Sequence, residues 1–156
     1  MDFQNISSEG RILALDLGRK RIGLALSDPL GITAQGLPTL ARTRIREDLA
    51  ALDALIRKHD VKLILMGHPL HMSGDESGQG LYTREFAGRL SEFTGREVRL
   101  WDERLTSVEA GRVLKQSGIG IEKRAQAVDR LSAVILLASY LDSRGHTVQA
   151  ESDGME

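Results

Sequence analysis

The sequence predicts an α/β fold, a mixed five-stranded sheet with helices on both faces. Three observations lead there. Two short apolar runs near the start flank a turn that contains glycine, which reads as a β-hairpin. Strand-like and helix-like patterns then alternate, which implies parallel pairing across helical crossovers. A late segment is apolar on nearly every side, which predicts a deeply buried helix.

The elements follow in order. Arg11 to Leu17 and Arg21 to Leu26 form the hairpin around Gly18-Arg19-Lys20. Thr33 to Leu40 adds a third strand, and Pro38, which has no N–H for a ladder bond, assigns it to an edge. Ile45, Leu49, Leu52 and Ile56 recur at helical spacing. Val61 to Met66 reads as a buried strand, and Gly67, Pro69, Gly74, Gly78 and Gly80 mark a long loop after it. Phe86, Leu90 and Phe93 define the next helix, closed at Gly95. Glu97 to Trp101 is a short strand. Thr106 with Glu109 three residues later is a capping-box pattern that opens another helix. The last helix covers roughly residues 125–141. The resulting order, β-β-β-α-β-α-β-α-α, belongs to few folds, of which the ribonuclease H-like fold is the best known. One domain over 11–142 is expected, between a flexible tail at 1–10 and a flexible acidic tail at 143–156.

Composition narrows the function. The chain has 156 residues, 21 Lys and Arg against 22 Asp and Glu, and no cysteine. A disulfide scaffold, a thiol nucleophile and a Cys-ligated zinc or iron–sulfur site are therefore excluded. No apolar run approaches 18 residues and no leader is evident, so the expected setting is cytoplasmic, without a membrane partner. The net charge of -1 hides a segregation: residues 11–46 carry seven basic side chains and only two acidic ones. Arg19, Lys20, Arg21, Arg42, Arg44 and Arg46 flank the first three strands, where they can contact phosphates or serve as an ordinary solvated surface. Aromatic residues suited to base stacking are scarce, which favours recognition of shape and backbone.

Three carboxylate positions stand out. Asp16 interrupts an apolar run in what should be a central strand, where an ionised group needs compensation from a cation or from backbone amides in the following turn. Asp102 and Glu103 follow a strand end, where open α/β sheets place ligands and where turn acids are also common. Asp129 lies early in the last helix, where an acid complements the macrodipole, yet its neighbours Val128 and Leu131 are apolar. Acids from separate elements can share hard cations such as Mg²⁺ or Mn²⁺.

Four motifs then resemble one family. Leu15-Asp16-Leu17-Gly18 with Lys20 and Ile22 to Asp28 resembles the opening motif of the YqgF/RuvX family. Gly67-x-Pro69-Leu70 with Gly74 resembles the second, and Asp102-Glu103-Arg104-Leu105-Thr106 with Val108-Glu109-Ala110 the third. Asp129 with Ala133 to Leu136 and Tyr140-Leu141 resembles the C-terminal helix. The family is described as Holliday-junction resolvases and as nucleases that trim the 5′ end of the 16S ribosomal RNA precursor. The resemblance implies a ribonuclease H-like, metal-dependent nuclease. Asp16, Glu103 and Asp129 would hold Mg²⁺ or Mn²⁺, two ions, with Asp102 as an alternate acid. Arg19, Lys20, Arg21, Arg104, Lys123 and Arg124 would contact nucleic acid, structured RNA before DNA, and ribosome-assembly factors would be partners.

The chain departs from the family pattern at three places. Arg19 stands where Thr is usual, the basic run before Asp129 is reduced to Lys123-Arg124, and Ser132 replaces Ala. His68 with His71 forms an H-x-x-H pair without an evident third ligand, so both are read as loop residues. Two other classes compete with the nuclease. An actin-like ATPase or sugar kinase also opens on an Asp-x-Gly hairpin, but it needs a phosphate-holding hydroxyl where Arg19 stands, and roughly twice this length. A nucleic-acid-binding module of weak catalytic power is the other.

Overall fold

A computed structural model describes residues 10–69, 78–102 and 121–155, the last segment with side chains over 127–144. Its elements are β1 (Arg11–Leu17), β2 (Arg21–Ser27), β3 (Ala34–Ala41), α1 (Ile45–Lys58), β4 (Val61–His68), α2 (Gly78–Thr94), β5 (Glu97–Asp102) and α3 (Ile121–Met155). The strands form one five-stranded sheet in the order β3-β2-β1-β4-β5. β1 pairs antiparallel with β2 and β2 with β3, whereas β4 runs parallel to both β1 and β5. The expected mixed sheet is present, and Pro38 does lie on an edge strand.

Strand alternation divides the core in two. Leu13, Leu15, Leu17, Ile22, Leu24, Leu26, Ile64 and Met66 face α1 and α2, where Leu49, Leu52, Ile56, Phe86 and Leu90 close the first core. Ile12, Ala14, Ala25 and Leu65 face α3, where Ala133, Leu136, Leu137, Tyr140 and Leu141 close the second. Helices therefore cover both faces. None of the described helices is long and apolar enough to cross a membrane. The capping-box helix at Thr106, the loop residues Leu70, His71 and Gly74, and the N-terminal tail lie outside the described residues.

Four details differ from the sequence expectation. α3 is buried along one stripe only, since Arg130, Ala138, Ser139 and Asp142 are exposed. The cause is that α3 covers one side of the sheet, and among the described residues nothing packs on its outer side. α3 is also longer than expected, running from Ile121 to Met155. Gly78 and Gly80 belong to the first turn of α2 and not to the preceding loop. In the same helix Phe93 is 46% exposed, so the apolar spacing overran the buried face by one position.

Candidate nucleic-acid and metal site

The site is built on the hairpin. Asp16 is paired across the ladder with Gly23, and cross-strand partners share a face of the sheet. That face is the α3 side, because Ile12 and Ala14 pack there. A Cβ on Gly23 would lie 1.9 Å from the Asp129 carbonyl oxygen and 3.2 Å from the Asp129 Cα. Only a residue without a side chain lets α3 come so close. Paired Cα atoms lie about 5 Å apart, so the backbones of Asp16 and Asp129 are brought within about 10 Å of each other over Gly23. Gly36 on β3 extends the seat, with Arg130 and Val134 directly above it.

The site lies at an end of the sheet suited to ligands. β1, β4 and β5 are parallel, so Asp16, His68 and Asp102 all lie at C-terminal strand ends. Asp102 shares its parity with Val98 and Leu100, which pack toward α1 and α2, and so belongs to the face opposite Asp16. Glu103 and Arg104 lie outside the described residues, as do the side chains of Lys123 and Arg124. Among the described residues no group of three or more His, Cys, Asp or Glu is arranged to hold a metal ion.

The basic residues separate into different roles. Gly18 N–H donates to the Arg21 carbonyl at 2.9 Å, which closes the turn and leaves Arg19 and Lys20 exposed at its tip. Arg21 does not point freely into solvent: its Nε donates to Asp129 Oδ2 at 2.8 Å. A cationic group thus already sits on one of the candidate metal-binding carboxylates.

Arg42 is a correction. Its place in the chain groups it with phosphate-facing residues, but its side chain is 9% exposed and paired at 3.1 Å with Asp48, itself 2% exposed. It also donates to the Gly18 carbonyl at 3.0 Å and the Tyr82 hydroxyl at 2.8 Å. Its guanidinium lies over the rings of Tyr82 and Phe86. Arg42 therefore ties the hairpin turn to α1 and α2. Trp101 packs edge-on against Tyr140 with ring centroids 5.1 Å apart.

The family model described as "RuvX: Holliday junction resolvase" matches residues 10–143. The chain belongs to the RuvX family. Relatives in this family carry the name "Putative pre-16S rRNA nuclease". One from Koribacter versatilis is 55% identical over 136 residues, covering 87% of this chain and 89% of the relative. Another from Moorella thermoacetica is 45% identical over 135 residues, covering 86% and 96%. Among solved structures, Thermus thermophilus RuvC in complex with a Holliday junction substrate matches at a TM-score of 0.55 and 12% identity. That match covers 88% of this chain and 97% of RuvC, and at this identity it establishes a shared fold. The RuvX family and the ribonuclease H-like architecture expected from the motifs are both borne out.

Proposed function

We infer that this RuvX-family chain is a metal-dependent nuclease that hydrolyses phosphodiester bonds in structured nucleic acid, with the 5′ end of the 16S ribosomal RNA precursor as its substrate. The observation that carries this reading is the meeting of Asp16 and Asp129 over Gly23 at the C-terminal edge of the parallel strands. The relatives' names support the RNA substrate, and the family description supports a four-way DNA junction as the second candidate.

The residues fit divalent cations. Carboxylate oxygens are the hard donors that Mg²⁺ and Mn²⁺ prefer, and Asp129 already accepts a positive group. Asp16 and Asp129 would hold the metal with Glu103. The opposite-face parity of Asp102 favours Glu103 over it as the further acid. Two divalent ions, when bound, would supply Lewis acidity and lower the pKa of the attacking water. The protein's own part is to fix the acids against the sheet and to position the phosphate backbone with Arg19, Lys20 and Arg21, assisted by Arg104, Lys123 and Arg124. A cytoplasmic setting and ribosome-assembly partners follow from this reading.

The test is direct. Purified protein is given a labelled precursor-RNA end or a four-way DNA junction, in Mg²⁺, Mn²⁺ or EDTA. Cleavage of the RNA that needs metal and disappears in Asp16→Asn is expected. Cleavage that persists in that variant overturns the site assignment, and preferential cutting of the junction overturns the substrate.

A further inference from the structure

We propose that Arg21 grips one backbone phosphate through the two terminal nitrogens of its guanidinium, and that Asp129 aims it by holding Nε. The proposal rests on the nucleic-acid reading above. Nε alone makes the 2.8 Å bond to Asp129 Oδ2, and among the described residues Nη1 and Nη2 have no protein acceptor. Both partners are partly exposed, at 29% and 23%. The base of the side chain is fixed as well: the Arg21 carbonyl accepts from Gly18, and Arg21 is in register with Ala41 of β3. A guanidinium held at both ends is pre-organised, and its planar fork matches two phosphate oxygens as an ammonium cannot. Arg19 and Lys20, exposed at the turn, contribute charge without that geometry. Asp129 therefore has a second duty beside metal binding.

The experiment measures binding without metal. Fluorescence anisotropy in EDTA follows the full chain on a labelled RNA hairpin and a four-way DNA junction over a salt series. Arg21→Lys keeps the charge and loses the fork, so its Kd should rise about tenfold while the salt slope stays unchanged. Arg19→Gln should lower the slope by about 1. Arg57→Lys, at an exposed position of α1, is the control and should bind like the wild type. Asp129→Ala should weaken binding although it removes a negative charge beside the phosphate, and this second variant guards against a local defect in the first. An Arg21→Lys affinity within about twofold of wild type, or tighter binding by Asp129→Ala, overturns the proposal. If Asp16-dependent cleavage survives that result, the nuclease reading stands alone. Failure of the wild type to bind either nucleic acid overturns both.

Discussion

Replacing Arg42 by Met should be among the most damaging single changes outside the acids. The substitution keeps the volume roughly but leaves the Asp48 carboxylate, 2% exposed, with Thr43 as its one remaining donor among the described residues. Removing one partner of a buried ion pair costs about 3–5 kcal/mol. The Gly18 carbonyl and the Tyr82 hydroxyl also lose their donor, at about 1–3 kcal/mol for each group that water cannot reach. These terms overlap, so a loss of about 4 kcal/mol is expected, a large share of the roughly 5–15 kcal/mol that holds a domain folded. The double variant Arg42→Met/Asp48→Leu removes both charges and should recover at least about 2 kcal/mol. Urea denaturation followed by circular dichroism measures both, with an unchanged m-value as the sign that only stability moved. A single-variant loss below about 1 kcal/mol, or a double variant no more stable than the single, would refute this reasoning.

Four further variants have expected outcomes. Gly23→Ala should lower both thermal stability and cleavage, because its methyl would meet the Asp129 backbone at 1.9 Å. Gly36→Ala should cost less, since its nearest neighbours at 2.7 and 2.9 Å are flexible side-chain atoms of Arg130, and melting midpoints of the two variants compare them. Burial raises the Asp28 pKa, but N–H donors from Thr33 and Ile32 outweigh it and hold the group below its ordinary value. The stabilisation is thus present above the unfolded pKa and lost as pH falls through the folded one, so the stability deficit of Asp28→Ala should shrink below about pH 4. Ser27→Ala removes the buried acceptor of the Ile12 N–H, at 2.8 Å, and should cost about 1–3 kcal/mol in urea denaturation.

The elements were legible because their signals are local. Short apolar runs marked β1, β2 and β4, Pro38 marked an edge, and Asp16 was conspicuous as a charge within an apolar run. What stayed hidden depends on contacts between distant segments. Arg42 looked like any surface arginine, since its partners Asp48 and Tyr82 come from two different helices. Gly23 looked like one more small residue in a strand until α3 was seen to rest on it. The exposure of one side of α3 was equally invisible, because apolar composition does not say which faces find a neighbour.

The contact at Gly23 is between main chains, and this makes it a fulcrum. Side-chain changes farther along α3, around Tyr140 and Leu141, can tilt the helix about that point while leaving the spacing of Asp16 and Asp129 nearly constant. Loss of activity through the spacing of the two acids should therefore fall off along α3 with distance from Gly23, whereas the stability cost follows burial, as at Leu136, Leu137, Tyr140 and Leu141.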